Sequence, residues 1–328
     1  TEILTRLNRQ PACSAGTLAV TLRETMNIEE VIEGLKSLDL TKYPEKEIRY
    51  YLNNIGKIAS IVVTYHNGKC VMRARPNSEN ERFSKKSDLS FKPQEYNSTY
   101  QRASTPKKTM FYATAIPDKI EQGELDNMRI IGVAETIPLL RDKQKSGYLK
   151  VSFGKWFVKE NINLLAIIHK DTYYHESNFT KELVEAYKVF SKDVPKEIAE
   201  KSLKIQTYLA EEFAKKEIRG DFDYMISAIF TEFAINQGYD GVIYPSVRVD
   251  GKGFNIAITP ESSQKLGLYV AGECSIYKHK DNVVIGNDAI VELDGIQEEF
   301  KLVDIQNHQK ECLQRIGMTS LEELKSYS

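Results

Sequence analysis

Ile61-Val-Val-Thr-Tyr-His-Asn-Gly-Lys-Cys-Val-Met-Arg-Ala-Arg75 is the stretch on which the fold turns. Ile61–Tyr65 is a β-branched run that reads as a strand. His66-Asn-Gly-Lys69 holds an Asn-Gly pair, the strongest short-range turn signal, and Cys70–Arg75 resumes in strand alternation, so the pattern predicts a β-hairpin. Arg73 and Arg75 stand two apart and leave one face of the second strand, while Met72 and Ala74 take the other. Two guanidinium forks on a rigid strand suit a pyrophosphate, because guanidinium binds phosphate oxygens bidentately. The same pair suits a solvated edge strand whose charges discourage aggregation. Both readings stand at this point.

Upstream, residues 27–58 read as two helices. Asn27 caps Ile28-Glu-Glu-Val-Ile-Glu-Gly-Leu, with Glu30 placed as a capping box requires. From Glu45 onward Ile48, Tyr51, Leu52, Ile55 and Ile58 form one apolar stripe. Met26 directly precedes this acidic amphipathic run, so residues 1–25 read as an upstream extension. Downstream, 77–108 is polar and reads as a long loop, a kind that in compact domains is functional or mobile. Met110–Ala115 and Met128–Leu140 read as strands. From about 155 to 236 the chain reads as helical (Lys181–Ser191, Lys196–Lys216, Tyr224–Gln237). Strand patterns return at Gly241–Val247, Phe254–Thr259, Leu266–Lys278 and Val283–Leu293, and a short helix is expected from Thr319. Helices, strands, a helical block, then strands is an α+β order, not strict βαβ alternation.

The 328 residues are 41% hydrophobic and 28% charged, an ordinary globular balance. With 45 Lys and Arg against 46 Asp and Glu, the net charge of −1 gives no global attraction for nucleic acid. Cys13, Cys70, Cys274 and Cys312 are scattered without C-x-x-C spacing, as expected of reduced thiols in a cytoplasmic protein. No apolar run has the length of a membrane span. Thr17-Leu-Ala-Val-Thr-Leu22 is too short for a signal-peptide core. His66, His169, His175, His279 and His308 lack metal-binding spacing, and no metal is expected.

Glu135 breaks a pattern. In Ile131-Gly-Val-Ala-Glu-Thr-Ile-Pro-Leu139 the alternate positions Ile131, Val133, Ile137 and Leu139 are apolar and Glu135 is not. On a regular strand its carboxylate would sit among core residues, where it must be paired, face a cleft or be protonated. A bulge at Gly132 or Pro138 would instead turn it outward. Further on, Asp240-Gly-Val-Ile-Tyr-Pro-Ser246 ends a strand in a small hydroxyl. Val249-Asp-Gly-Lys-Gly-Phe254 then makes a turn, and Asn255 resumes. Ser246 and Asn255 flank that turn and can face one cleft mouth. Gly251 and Gly253 are turn punctuation and not a dinucleotide fingerprint, and no G-x-S-x-G accompanies Ser246.

Taken in order, these segments resemble the RES-domain family. The strand arginine is Val71-Met-Arg73-Ala-Arg75. The second arginine lies in Gln101-Arg102-Ala-Ser-Thr-Pro106, followed by Met110-Phe-Tyr112-Ala-Thr114. The glutamate strand is Val133-Ala-Glu135, and Asp240-Gly-Val-Ile-Tyr-Pro-Ser246 with Asn255 is the most specific match. The resemblance covers about 60–140 and 238–305, and the block 155–236 reads as an addition to the family core. It departs at Gln101, Ala103 and Ser104, where the family has glycine, an aromatic and asparagine.

The resemblance implies an ADP-ribosyltransferase-like fold, a split and bent β-core, carrying N-terminal helices and an inserted helical block. It sets boundaries at 1–59 for the N-terminal part, 60–305 for a catalytic domain with the insertion at about 155–236, and 306–328 for a helical tail. It implies a toxin-like enzyme with NAD⁺ as substrate, cleaving the nicotinamide–ribose bond with water or phosphate as acceptor, an NAD glycohydrolase or phosphorylase. The alternatives are a protein ADP-ribosyltransferase using the same cleft, or a non-catalytic interaction protein. Glu135, Arg73 and Ser246 would be catalytic. Arg102, Tyr112, Arg75, Asn255 and Tyr244 would bind substrate. A cognate antitoxin and a homo-oligomer are the expected partners, with no nucleic acid and no membrane.

Overall fold

The computed structural model describes residues 2–7, 26–78, 81–116, 132, 138–140 and 144–327. Among these residues eleven strands form one sheet in the order β1-β2-β6-β7-β8-β4-β3-β5-β9-β10-β11. They are β1 (Glu2–Leu7), β2 (Ala59–Tyr65), β3 (Cys70–Pro76), β4 (Phe111–Ala115), β5 (Gly147–Val158), β6 (Ile162–Ala166), β7 (Gly241–Pro245), β8 (Phe254–Ile258), β9 (Leu266–His279), β10 (Asn282–Glu292) and β11 (Val303–Asp304). All neighbours are antiparallel except β6 and β7. The helices are α1 (Ile28–Ser37), α2 (Glu45–Asn53), α3 (Asn178–Ser191), α4 (Lys196–Phe213), α5 (Met225–Asn236), the single turn α6 (Pro260–Ser263), α7 (Gln309–Arg315) and α8 (Leu321–Lys325). The architecture is α+β, as the element order implies.

Both strands of the expected hairpin form, but they do not pair with each other. The turn is present, with Lys69 N–H donating to the His66 carbonyl at 3.1 Å. Gly68 adopts φ 87°, whereas Asn67 is not among the residues with positive φ. A type I′ turn needs positive φ at both central residues, and turns without it splay the flanking strands. The freed edge is taken by β5, where Val158 accepts from Gly68 and donates to Lys69, each at 2.8 Å.

Four strands therefore lie between β2 and β3 in the sheet order. Five strand spacings would place them ~24 Å apart in a flat sheet, while the link from Tyr65 to Cys70 reaches at most ~19 Å even fully extended. The sheet has to bend sharply. One apolar cluster accordingly takes Ile61 and Val63 from β2, Val71 from β3, Phe111 from β4, Trp156 from β5 and Ile243 from β7. Phe111 and Trp156 meet edge to face at 5.3 Å. The opposite face packs Val62, Val242, Tyr244 and Ala257 against α1, α2, α4 and α5.

Two further expectations are corrected. The chain is not helical from 155: β5 and β6 occupy 147–166, and the helices begin at Asn178. β6 sits between β2 and β7 and is buried on both faces, so its run Ile-Asn-Leu-Leu-Ala has no clean alternation to mark it as a strand. Pro138–Leu140 forms a 3-10 turn in place of the end of a strand, and Glu135 lies outside the described residues. Of the apolar positions in the helical block, Tyr208 and Phe213 are buried in the chain's own core, Phe190 is half-buried, and Leu203 is exposed. The C-terminal helices pack Cys312, Leu313, Ile316 and Leu324 against Tyr277 and Val284 of β9 and β10.

The Asn27 capping box forms as the sequence predicts: Glu30 N–H donates to the Asn27 side chain at 2.8 Å and Asn27 N–H to the Glu30 carboxylate at 3.1 Å. Asn27→Ala is expected to cost ~1 kcal/mol. An unshifted denaturant midpoint would show that α1 is held by packing alone.

Candidate functional site

Beyond Met72 and Thr114 the pairing of β3 with β4 stops, while β3 stays paired to β5 as far as Pro76. Into this opening a cleft of about 370 Å³ is built. Its floor follows the cross-strand rows. Met72 is opposite Thr114, Thr114 opposite Asn255, and Asn255 opposite Tyr244, so these four side chains share one face. Tyr112 lies one row along the same face, opposite Ala257. Gly132 completes the floor: a Cβ there would come within 3.3 Å of the Thr114 hydroxyl and 3.6 Å of the Ala74 methyl.

Arg73 projects from the other face of β3 and crosses the opening between the diverging strands. Its Nη1 donates to the Tyr112 carbonyl at 2.7 Å and its guanidinium lies 5.3 Å from the centre of the Phe111 ring. Its Nε has no hydrogen-bond partner. Burial, with the Arg75 charge nearby, pulls its pKa down to about 10, so it remains cationic at neutral pH. Arg75 does not line the cleft. Its Nη1 donates to the Asp88 carbonyl at 2.8 Å, its guanidinium lies over Phe83 at 4.4 Å, and Glu81 is 3.7 Å away. The two arginines share a face, as alternation requires, yet Arg75 holds the 81–89 loop and only Arg73 reaches the cleft.

The wall is the 96–109 loop. Gln101 and Ser104 exchange backbone hydrogen bonds at 2.8 and 3.1 Å, closing a tight turn around Arg102 and Ala103. The Tyr112 hydroxyl accepts from Ala103 N–H at 3.0 Å and meets Ser104 Oγ at 2.8 Å. Burial pushes that phenol up to about 12, so it stays protonated. From outside, Tyr100 donates its N–H to Asp221 at 3.1 Å and its hydroxyl to Glu45 at 2.7 Å. Glu232 of α5 accepts from Arg49 at 3.0 Å and from Lys108 at 2.5 Å. The N-terminal helices thus brace the wall of the cleft.

Arg102 lines the cleft, yet each of its Nη atoms donates to a carbonyl of the protein itself. Nη1 donates to the Phe213 carbonyl and Nη2 to the Lys215 carbonyl at 3.1 Å, with the guanidinium over the Tyr224 ring at 5.1 Å. Ser246 is fully buried beside the cleft and is not among its lining residues. Its N–H donates to the Gly253 carbonyl at 2.7 Å and its carbonyl accepts from Gly251 at 2.8 Å, closing the turn that returns the chain to Asn255.

Asp240-Gly241, the start of the most specific motif, is architectural. Burial would raise the Asp240 carboxyl, but the Asn163 N–H and the Lys265 ammonium hold it below the usual carboxylate range. It accepts from Asn163 N–H at 2.8 Å, Ser262 Oγ at 2.6 Å and Lys265 Nζ at 2.7 Å. A Cβ on Gly241 would come within 2.0 Å of the Ala257 carbonyl oxygen. Glycine is what lets β7 lie this close to β8 and so carry Tyr244 to the floor.

Lys92, Thr109 and Tyr224 also line the cleft and had no signal in the sequence, since each comes from a loop or turn outside the quoted motifs, while Thr114 stood within the Met110–Thr114 motif without a role assigned to it. Among the described lining residues the charged ones are Arg73, Lys92 and Arg102, with no Asp or Glu. A wider groove of about 580 Å³ elsewhere sets Lys36, Lys215 and Arg219 against Asp39, Glu217 and Asp223 and so has no net preference for an anion. No cluster of His, Cys, Asp and Glu suited to a metal occurs among the described residues, and none of their helices is long and apolar enough to cross a membrane.

The search of curated proteins returned no match. One family model matches, over 166–273, a stretch that contains Tyr224, Tyr244, Ser246 and Asn255 and ends upstream at Ala166, short of Arg73, Arg102, Tyr112 and Glu135. The match runs through α3, α4 and α5, the block that the motifs alone had set aside as an addition. The family that the sequence motifs resemble is thus the one whose model matches this chain: residues 166–273 match the RES domain.

Proposed function

We infer that the cleft binds NAD⁺ and that the protein cleaves its nicotinamide–ribose bond, with water or phosphate as acceptor. The observation that carries this reading is Arg73. Its half-buried guanidinium has one carbonyl partner and an unpartnered Nε, and the charged residues among the described lining of the cleft are all cationic. A desolvated charge of this kind is costly, and an anionic ligand offsets the cost. The opening between β3 and β4 fits the split core of ADP-ribosyltransferase-like folds, and the RES match supports a toxin-like enzyme acting on NAD.

In this reading Arg73 binds the pyrophosphate, and the Tyr112 ring, fixed by its hydroxyl to Ala103 and Ser104, packs against nicotinamide. Nicotinamide leaves as a neutral molecule from a cationic pyridinium, so its departure needs no strong general acid. The transition state is a ribosyl oxocarbenium ion, as in glycoside cleavage. Glu135 would stabilise that cation and hold the ribose hydroxyls, an interaction strongest in the transition state. Asn255 and Tyr244 shape the floor beneath. Ser246 acts through the turn it closes.

Chromatography of NAD⁺ incubated with purified protein is the test. Free nicotinamide with ADP-ribose marks hydrolysis, and a phosphate-dependent ADP-ribosyl phosphate marks phosphorolysis. Intact NAD⁺ under both conditions would remove the proposal. A cognate antitoxin and a homo-oligomer belong to the same proposal. The oligomer rests on Val189 and Leu203 of the helical block, which stay 63% and 45% exposed. Light scattering at micromolar concentration is expected to give a multiple of the chain mass, and a strictly monomeric mass would dispose of it.

A further inference from the structure

Besides Arg73, two cations line the cleft among the described residues, and their surroundings differ. Arg102 is 7% exposed, spends N–H groups on the Phe213 and Lys215 carbonyls, and covers the Tyr224 ring with its flat face. These carbonyls sit at the C-terminus of α4, where unpaired carbonyls and the negative end of the helix dipole favour a cation. Arg102 is thereby matched to the protein itself. Lys92 is the opposite case. It stands on the loop between the 3-10 turns Lys86–Leu89 and Gln94–Tyr96, it is exposed, and its ammonium has no hydrogen bond or ion pair with any described residue. It lines the same cleft as Arg73, where no described acidic side chain competes for it.

We propose that Lys92, and not Arg102, is the second anion-binding arm of the cleft, acting with Arg73 on the pyrophosphate of a dinucleotide. Arg102 is a positioning residue, a strap that ties the 96–109 wall to the end of α4. This rests on the reading of the cleft as a nucleotide site. A solvated lysine on a flexible stem contributes a point charge and little geometry, so its effect is salt-sensitive. The sequence departures at Gln101, Ala103 and Ser104 fit this division, because a loop relieved of ligand contacts tolerates change.

The test uses the full chain and ADP, which carries the pyrophosphate and has no nicotinamide to lose. Calorimetric titration of Lys92→Met is expected to show roughly five- to tenfold weaker ADP binding with a shallower salt dependence, at an unchanged thermal midpoint. Arg102→Gln removes the charge and, because its amide ends two bonds short of the Nη atoms, the two carbonyl bonds as well. It is expected to hold ADP affinity within about twofold, because the charge of Arg102 is already spent within the protein, while its thermal midpoint falls. Wild-type affinity in Lys92→Met overturns the proposal, whether or not the Arg102 variant folds. So does a folded Arg102→Gln that loses ADP as Arg73 variants do. A protein that binds ADP through Lys92 but releases no nicotinamide from NAD⁺ would leave this inference standing and sink the proposed reaction. A protein that binds no ADP would sink the arm.

Discussion

Glu135→Gln is expected to leave the protein folded and to lower NAD⁺ turnover by roughly 10²–10³-fold, the ~2.7–4 kcal/mol that a single electrostatic contact to a developing charge typically supplies. Glutamine preserves size and hydrogen bonding to ribose hydroxyls but removes the negative charge that an oxocarbenium ion requires. The kcat should carry the loss, with KM little changed, because the interaction strengthens only as the cation forms. The residue follows three positions after Gly132, whose backbone lies against Thr114 and Ala74 on the cleft floor. Turnover by chromatography, alongside a thermal midpoint, checks it. Near-wild-type turnover in a folded variant would show that the pattern-breaking carboxylate of this segment serves some other end.

The second large effect belongs to Arg73. Arg73→Lys keeps the charge but loses the fork that reaches the Tyr112 carbonyl while leaving other N–H groups for phosphate oxygens. NAD⁺ or ADP affinity should drop by roughly tenfold or more, since hydrogen bonds to charged groups contribute ~1.5–3 kcal/mol. Arg75→Lys should change affinity little. Its cost should fall on stability, because Arg75 ties Asp88, Phe83 and Glu81 to β3. In the intact protein, anion affinity should hold at neutral pH and fall as pH rises through about 10, where the Arg73 guanidinium begins to lose its proton. Equal affinity losses at 73 and 75, or a larger one at 75, would mean that the pyrophosphate lies against the 81–89 loop.

Local chemistry made most of the elements legible. The Asn27 box, the stripe from Ile48 to Leu52, β4, β7 to β10 and the three long helices all obey rules that act within a few residues. Arg73 could be singled out for a related reason: strand alternation places charges on a face without knowledge of what covers them. Alternation could not separate Arg73 from Arg75, since the difference lies in which strand continues alongside. β4 pairs with β3 only at Thr114 and Ala115, and the opening alongside Arg73 receives one guanidinium while the 81–89 loop receives the other.

The sequence by itself determined the α+β order, the motif strands β3, β4, β7 and β8, and the resemblance to the RES domain that residues 166–273 match. Periodicity, capping and turn residues are written in neighbouring positions. Only the tertiary structure decided which strands pair. Asn67-Gly68 carries the hairpin signal, but β5 offered β3 a longer ladder, from Cys70 opposite Phe157 to Pro76 opposite Val151. The sum of those distant hydrogen bonds and the shared cluster of Phe111, Trp156 and Val71 outweighs one turn. It likewise decided that Arg102 serves a helix end and that Lys92 faces the cleft. Both depend on where a remote carbonyl or an open space falls, and no spacing along the chain encodes that.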